Sequence, residues 1–569
     1  MNYHPPTADL EFVLTHLVGL DGLCAELGLD EVDQDLASAI LDEAGRYAAE
    51  VMAPANRDGD LNPPTLSPQG VQESPGFKAV YQGLAEAGWV GLTAPQSHGG
   101  QGLPNVIGTA VNEIWQSANL AFSLCPMLSQ GAIEALTHHA DDALRDLFLP
   151  RMSSGEWTGT MNLTEPDAGS DLAAIKTRAE PRGDGRYAIT GQKIYITWGD
   201  HQMTPNILHL VLARLPDAPA GVKGISLFVV PKFRLDSAGE PGEPNDVRAL
   251  SLEHKLGIHG SPTCVMQYDG AEGYLVGEAH QGLKYMFTMM NHARQAVGVQ
   301  GLAISERAYQ QARDYARERT QGTRRDGSKI SIIDYPDVRR MLMTQRAACE
   351  AMRALALVAS SELDRAAQDP SHRALAEWYT PIVKGWLTEL SVEMTSLAVQ
   401  VHGGMGYVEE TGVAQHFRDA RILPIYEGTT GIQALDFVGR KTLANSGDIA
   451  RSMLATMRAD CEGHGPMEQA LNTAEVTLAQ LLAGHASDPE WAPAVAHHYL
   501  MHMGYLCGGW LMVKSARLAA DAEGDPDFLQ GKVHSSDFYC AQLLPRAAAH
   551  AASMVGGSRS VMAMPAEWL

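Results

Sequence analysis

The stretch that decides the fold of this chain runs from 400 to 436 and reads QVHGGMGYVEETGVAQHFRDARILPIYEGTTGIQALD. The glycine cluster at 403–406 lets the backbone approach a ligand closely, because glycine has no side chain to hold the ligand away. Further on, Glu427 is a single carboxylate set between apolar residues and a glycine. Partial burial would raise its pKa and suit it to act as a general base. On these residues alone, an ordinary surface glutamate at a helix start remains the commoner alternative.

Length and composition indicate a globular enzyme-sized protein. A chain of 569 residues is long enough for three or four domains with sizeable cores. Apolar residues make up 45% and charged residues 19%, as is usual for such proteins. The net charge of −24 disfavours non-specific binding to nucleic acid and docking to an anionic membrane surface.

The cysteines and the apolar patterning bear on the compartment. Seven cysteines are scattered along the chain, and no C-x-x-C pair occurs. This pattern argues against a disulfide framework or a zinc knuckle and favours a reducing compartment. The first residues lack the cationic and apolar regions of a signal peptide, and no run of about 18 apolar residues occurs. We therefore expect a cytoplasmic protein without a membrane span.

Residues 1–158 are predicted to be mostly helical. Apolar residues at helical spacing predict a helix over 38–52 that ends before Pro54. The segment 111–136 has few charges and fits a pair of buried helices, whereas the turn residues of 88–104 predict a loop.

Residues 159–277 have a different character, since β-branched residues and alternation dominate there. Strands follow strands without intervening helices, which predicts a small antiparallel domain instead of a doubly wound sheet. The predicted strands are 187–197, 207–213, 225–230 and 263–268.

Long helices return in residues 278–443 and continue through 444–569. The complete order is therefore an α+β plan with a central β domain. The predicted helices are 283–318, 337–368 and 374–401, followed by 449–458, 467–482, 494–522 and 537–552.

Two groups of motifs carry a resemblance to a known family. One is the glycine-rich run 400–407, followed by RDARI at 418–422 and IYEGT at 425–429; the other is TEPDAGSD at 164–171. On its residues alone the second segment is a turn whose hydroxyls suit a polar ring edge or a phosphate. Together the motifs resemble those of the flavin-dependent acyl-CoA dehydrogenases, and the match is highly specific.

The resemblance implies a fold of four parts. These are an N-terminal helical domain at 1–158, a middle antiparallel β-barrel at 159–277, a helical bundle with the catalytic glutamate at 278–443, and an additional helical domain at 444–569. The tail is similar to that of a long subgroup whose members include enzymes acting on 3-methylmercaptopropionyl-CoA.

The resemblance also implies how FAD is held. Leu163 and Thr164 would face the isoalloxazine ring, and Ser170 would contact both FAD and the CoA part of the substrate. Tyr195, where the family commonly has tryptophan, would cover the flavin, and Thr197 would bond near N5.

A second set of implied FAD contacts lies later in the chain. Arg319, Gln400, Gly403 and Gly404 match residues that reach the cofactor of a neighbouring subunit, and Thr429 completes the set. The resemblance therefore implies a homo-oligomer, either a dimer or a dimer of dimers.

For catalysis, the resemblance implies that Glu427 removes the α-proton of an acyl-CoA. Asn291, Arg294 and Gly428 would bind the substrate. Some family members carry the catalytic glutamate at the position of Ala293, but alanine cannot act as a base.

The implied activity is FAD-dependent α,β-dehydrogenation of an acyl-CoA to the trans-2-enoyl-CoA, as in fatty-acid β-oxidation. Electrons would pass to an electron-transfer flavoprotein, and the substrate would be short- or medium-chain, or 3-methylmercaptopropionyl-CoA. Two alternatives stay open: an oxidase that passes electrons to O₂, and a non-catalytic, nucleic-acid-binding homologue, which the negative charge disfavours. No Rossmann or P-loop motif occurs, and His498 and His502 lack the further ligands of a metal site.

Overall fold

The computed structural model describes residues 3–569, which form two compact units. The first unit comprises 3–45, 105–117 and 294–569, and the second comprises 46–104 and 118–293.

The α-helices lie where apolar residues recur at helical spacing. Two π-helical segments, Val13–Val18 and Ala48–Met52, interrupt or extend the early helices. In chain order the α-helices are α1 Thr7–Phe12, α2 Leu20–Glu26, α3 Gln34–Tyr47, α4 Ala53–Leu61, α5 Phe77–Glu86, α6 Asn105–Ala118, α7 Leu120–His139, α8 Asp142–Ser153, α9 Gly282–Glu318, α10 Pro336–Gln368, α11 Arg373–His402, α12 Val413–Ala420, α13 Thr430–Gly439, α14 Asp448–Asp460, α15 Gly465–Ser487, α16 Trp491–Asp521, α17 Pro526–Gln542, α18 Pro545–Met554 and α19 Arg559–Met562.

The strands are concentrated in the second unit, except for one short hairpin. In chain order they are β1 Thr65–Ser67, β2 Gly70–Gln72, β3 Trp157–Asn162, β4 Arg178–Pro181, β5 Tyr187–Thr197, β6 Asn206–Arg214, β7 Ile225–Pro231, β8 Phe233–Leu235, β9 Pro241–Pro244, β10 Val247–Leu252, β11 Thr263–Leu275, β12 Thr320–Thr323 and β13 Lys329–Ser331.

The main sheet of the second unit closes into a barrel. The strands pair in the order β11, β5, β4, β6 and β7, and β7 pairs back with β11. The long strand β11 pairs with two strands of the barrel. Thr263 lies opposite Thr197 of β5 near one end of β11, and Tyr274 lies opposite Val229 of β7 near the other end. Closure leaves no open edge between these five strands.

The sheet is not wholly antiparallel, so the sequence-based prediction is wrong on this point. β3 runs parallel to β6, with Trp157 opposite Asn206, and β4 meets β6 in a parallel pair between Arg178 and Arg214. Parallel neighbours need a long connection, and the chain supplies one, because β4 and β5 lie between β3 and β6 in sequence.

Three long helices, α9, α10 and α11, confirm their predictions, and each end lies within one residue of the expected position. α9 and α11 approach closely: a Cβ built at Gly298 would lie 2.5 Å from Val383 Cγ1, and one at Gly301 would lie 2.8 Å from the Leu387 carbonyl oxygen. Glycine at both positions therefore allows the two backbones to come together.

Two predicted helices differ from the observed ones, and proline explains both differences. The helix expected over 537–552 is two helices, α17 and α18, because Pro545 lacks an N–H and begins a new helix at its first turn. In contrast, Pro54 does not stop the helix at 38–52. A π-helical segment carries the chain into α4, where Pro54 occupies the first turn and no hydrogen bond is lost.

A buried ionic network joins five helices of the first unit. Its centre is Arg353, which is 1% exposed. Arg353 pairs with Glu113 at 2.5 Å and Glu306 at 3.0 Å, and it also contacts Asp9. Lys532 Nζ in turn lies 2.6 Å from Asp9 and 3.0 Å from Glu350. We call these six residues the Arg353 network.

Candidate active site

Glu427 occupies a strained turn that leads into α13. Its φ is +55° and that of Gly428 is +92°, so two successive residues lie in the left-handed region. A non-glycine residue there costs about 1–3 kcal/mol, and such strain tends to cluster at functional sites. Thr429 follows as the N-cap of α13, since its Oγ1 accepts a hydrogen bond from the N–H of Ile432 at 3.3 Å.

Two glutamines hold this turn in place. Gln433 Nε2 donates to the carbonyl oxygen of Glu427 at 3.3 Å, and the hydroxyl of Tyr426 donates to Gln300 Oε1 on α9. A Cβ at Gly428 would lie 2.7 Å from Gln433 Nε2, so the position requires glycine for space as well as for its backbone angle.

The electrostatics give Glu427 the properties of a base near neutral pH. Burial raises the pKa of its carboxyl to about 7, although Arg294 and Lys384 both oppose the increase. Arg294 Nη2 lies 3.9 Å from the Cβ position of Gly428. Burial lowers the pKa of the Arg294 guanidinium, while Asp436 and Glu427 raise it. A carboxyl with a pKa near 7 is both ionised in part and basic enough to accept a proton.

In the second unit, the segment after β3 is anchored by a buried ion pair. Lys193 Nζ donates to Glu165 Oε1 at 2.8 Å and to the Leu163 carbonyl oxygen at 3.0 Å. Glu165 also accepts hydrogen bonds from the backbone N–H groups of Lys176 and Thr177. Burial would raise the pKa of Glu165, but Lys193 and these donors bring it below its usual value. The pair therefore fixes the backbone around Leu163.

A backbone hydrogen bond ties this segment to β5. The N–H of Ile194 donates to the Thr164 carbonyl oxygen at 2.9 Å, so the next residue, Tyr195, lies at the same end of the barrel. Tyr195 is 62% exposed and has a φ of +59°. An exposed aromatic side chain at this end of the barrel, on a strand that also carries Thr197, fits the isoalloxazine of FAD, which needs an apolar surface and hydrogen bonds at its edge.

The other residues predicted from the sequence divide between the units. Leu163 is buried, Thr164 and Thr197 are partly exposed, and Ser170 and Asn291 are exposed on the second unit, where Ala293 is buried. The first unit holds Glu427, Arg294 and Gly428, and also Thr429, the exposed N-cap of α13. It also holds four exposed residues that the resemblance assigns to the cofactor of a neighbouring subunit. Those four are Arg319, Gln400, Gly403 and Gly404. Their roles in binding stay predictions.

Sequence reasoning missed Lys384, Gln433 and Lys193. Lys384 had a visible signal, because it is the only charged residue in the apolar stretch PIVKGWLT at 381–388. Lys193 had one as well, since it shares the inward-facing alternation of β5 with Ile189, and both are fully buried. No local pattern marks Gln433, whose contact with Glu427 depends on the turn between them.

Of the two histidines considered for metal binding, each has a protein partner instead. His498 Nδ1 lies 3.1 Å from His550 Nδ1, and His502 Nδ1 lies 2.8 Å from the Ala547 carbonyl oxygen. Over residues 3–569 no helix combines the length and apolarity needed to cross a membrane.

Models of protein families match nearly the whole chain in four consecutive blocks. They are the N-terminal domain of acyl-CoA dehydrogenase at 35–156, its middle domain at 160–271, its C-terminal domain at 280–443, and an acetyl-CoA dehydrogenase C-terminal-like domain at 451–565.

The chain is similar to individual proteins over most of its length. It is 47% identical to 3-methylmercaptopropionyl-CoA dehydrogenase from Ruegeria pomeroyi, with 96% of each chain covered. Among solved structures, Caenorhabditis elegans ACDH-11 in complex with C11-CoA matches with a TM-score of 0.79 at 21% identity, covering 95% of this chain and 91% of the other. An acyl-CoA dehydrogenase from Bacillus anthracis complexed with FAD matches with a TM-score of 0.74 at 20% identity, covering 92% and 89%.

Proposed function

This chain belongs to the acyl-CoA dehydrogenase family, and on that premise we propose that its substrate is 3-methylmercaptopropionyl-CoA or another short-chain acyl-CoA. It is an FAD-dependent enzyme that dehydrogenates acyl-CoA thioesters. The observation that carries the proposal is Glu427, a partly buried carboxyl whose pKa is about 7, in a strained turn. The substrate assignment is supported by the 47% identity to the Ruegeria enzyme, which extends through the C-terminal tail.

In the reaction, Glu427 removes a proton from the α-carbon of the thioester. Glu427 must be deprotonated before it can accept this proton. The guanidinium of Arg294, which lies near Gly428, stabilises the deprotonated carboxylate of Glu427. The backbone N–H of Glu427 would donate to the thioester carbonyl oxygen and so acidify the α-carbon. When bound, FAD would serve as the oxidant for the β-hydrogen, which leaves the substrate as hydride.

The residues of the second unit would hold the flavin. Thr164 and Thr197 offer hydroxyls, Tyr195 offers an exposed ring face, and the Lys193–Glu165 pair keeps their backbone in place. Ser170 and Asn291, both exposed, would contact the CoA portion.

We also propose that the enzyme is at least a homodimer that shares its FAD sites. Tyr407 is 90% exposed and follows directly on the glycine cluster that includes Gly403 and Gly404. Arg319 is exposed as well, next to the β12–β13 hairpin. A large aromatic side chain and a guanidinium left in solvent fit a surface that a second subunit and its cofactor would cover.

Arg319→Ala is expected to weaken FAD binding by roughly tenfold to a hundredfold, because one charge-assisted hydrogen bond contributes about 1.5–3 kcal/mol. Fluorescence titration of the apoprotein with FAD measures the change. Arg317→Ala removes an exposed arginine two residues earlier, at the end of α9, and should bind FAD like the parent. An unchanged affinity in Arg319→Ala, or light scattering that shows an active FAD-bound monomer, would contradict shared sites.

The proposed function is tested by mixing the purified protein with acyl-CoAs under anaerobic conditions. We expect a yellow protein whose flavin absorbance bleaches fastest with 3-methylmercaptopropionyl-CoA, compared with butyryl-CoA and octanoyl-CoA. A protein that stays colourless and inactive after reconstitution with FAD would refute the assignment. Reoxidation by an electron-transfer flavoprotein that outpaces reoxidation in air would support that acceptor over an oxidase.

The division into domains at 1–158, 159–277, 278–443 and 444–569 and the cytoplasmic location remain proposals as well. All seven cysteines are buried and none forms a disulfide among the described residues, which suits a reducing compartment. Cell fractionation checks the location.

A further inference from the structure

Lys384 is a buried cation that the fold does not explain. It lies in α11 and is 0% exposed, and its Nζ makes no hydrogen bond with any residue in 3–569. Burying an ammonium group is unfavourable unless it is paired, and buried polar groups nearly always have a partner. A leucine or methionine would fill this position at lower cost to stability.

The position of Lys384 connects it to the catalytic turn. The next residue, Gly385, packs against both α16 and α13, because a Cβ built there would meet Leu500 and would lie 3.7 Å from Gln433 Cβ. Gln433 in turn donates to the carbonyl oxygen of Glu427. One side chain therefore separates this part of α11 from the turn that carries Glu427.

The charged groups around the two residues are few. Lys384 faces two acidic groups, Glu427 and Glu389, and one cation, Arg294. Glu427 faces the cations Arg294 and Lys384, and its neighbour Tyr426 is a partly buried phenol whose raised pKa keeps it neutral. Arg294 interacts electrostatically with both Asp436 and Glu427, and Asp436 raises its pKa more than Glu427 does. Lys384 thus has Glu427 as its strongest acidic neighbour.

We propose that Lys384 is a positioning residue of the active site, whose buried ammonium stabilises the carboxylate of Glu427 and keeps this base ionised at neutral pH. The inference rests on the proposed role of Glu427. Because the ammonium makes no hydrogen bond, it would act on the carboxylate through space, where its charge opposes the burial that favours the protonated carboxyl.

The titration of the two groups supports this arrangement. Burial lowers the pKa of Lys384 to about 8, while Glu427 and Glu389 raise it. Burial raises the pKa of Glu427 to about 7. Between these two values the ammonium and the carboxylate are both charged, which is the state that catalysis needs.

The parent enzyme sets the baseline of the test. Its kcat/KM for 3-methylmercaptopropionyl-CoA should increase with pH through a midpoint near 7, because only the deprotonated carboxyl of Glu427 accepts a proton. In Lys384→Met the midpoint should move to higher pH by about one unit or more. The rate at pH 7 should fall about fivefold to tenfold and recover toward the parental rate near pH 9.

Stability distinguishes a positioning role from a structural one. Methionine keeps the apolar stem and removes an unpartnered buried charge, so Lys384→Met should contain FAD and unfold at the parental temperature or above. Lys441→Met is the matched control: it also removes one lysine of the first unit, one that pairs with Glu377 at 2.5 Å on the surface, and its pH midpoint should equal that of the parent.

Three results would overturn the proposal. They are an unchanged midpoint in Lys384→Met, a loss of rate that is uniform across pH, and a loss of the fold, which would assign the ammonium a structural role. An inactive parent, or a Glu427→Gln variant that reduces its flavin, would overturn the proposed function together with this inference. If the parent is active, Glu427→Gln is not, and the midpoint of Lys384→Met stays near 7, only the role of Lys384 fails.

Discussion

Glu427→Gln is expected to retain FAD and bind acyl-CoA but to reduce its flavin about 10⁴-fold more slowly than the parent. General-base catalysis contributes about 10²–10⁴-fold, and abstraction of a proton from a weak carbon acid places this enzyme at the upper end. Glutamine preserves the size of the side chain and removes only the base. Ala293, at the alternative position of the base in the family, cannot substitute for it.

Stopped-flow absorbance under anaerobic conditions separates binding from chemistry in this variant. Adding 3-methylmercaptopropionyl-CoA should shift the flavin spectrum without bleaching it. Glu410→Gln is the control, because Glu410 is an exposed carboxylate of the same segment, 400–436, and has no assigned role; it should bleach like the parent. Bleaching of Glu427→Gln within about tenfold of the parental rate, below the range for a general base, would show that Glu427 is not the base.

Periodicity predicted the elements of this fold well where one face of an element is buried. The stripe of apolar residues on α9 and the alternation along β5 are local signals, so the helix 283–318 and the strand 187–197 could be located without a structure. Whether two strands pair parallel or antiparallel, in contrast, is not encoded in a local pattern. The parallel pairing of β3 with β6 depends on how a connection of two strands returns, which no short window of sequence records.

Proline shows how one residue type has opposite outcomes in different contexts. Pro545 begins a new helix after Leu543 and Leu544, so one predicted helix became two. Pro54 follows a π-helical segment and lies in a first turn, where its missing N–H has no consequence. Whether a proline separates two helices or is accommodated within the first turn of one therefore depends on where the preceding helix ends.

The candidate site was predictable where a motif is contiguous and unpredictable where contacts are tertiary. Glu427 and Thr164 lie within contiguous motifs that resemble those of the family. Lys384 lies far from Glu427 in the sequence. The two residues come near each other only after α11 packs near α13. The sequence marked Lys384 merely as a charge in an apolar stretch.

The Arg353 network allows a second large effect, on stability. Arg353→Met should lower the free energy of unfolding of the first unit by about 3–5 kcal/mol, because removing one partner leaves buried carboxylates uncompensated. Burial already raises the pKa of Glu113 to about 7, and Arg353 opposes that increase. Without Arg353 the folded protein would bind more protons than the unfolded chain at neutral pH, so its stability should fall as pH rises.

Urea unfolding at pH 6 and pH 8 tests both parts of this expectation. The loss of stability in Arg353→Met should be larger at pH 8, where the carboxyl of Glu113 favours its charged form. Arg340→Met is the matched control on the same helix: Arg340 is half-exposed and pairs with Asp337 at 2.9 Å, and such a surface pair contributes about 0–1 kcal/mol. Equal urea midpoints for the two variants would mean that the buried network adds no more to stability than an exposed ion pair.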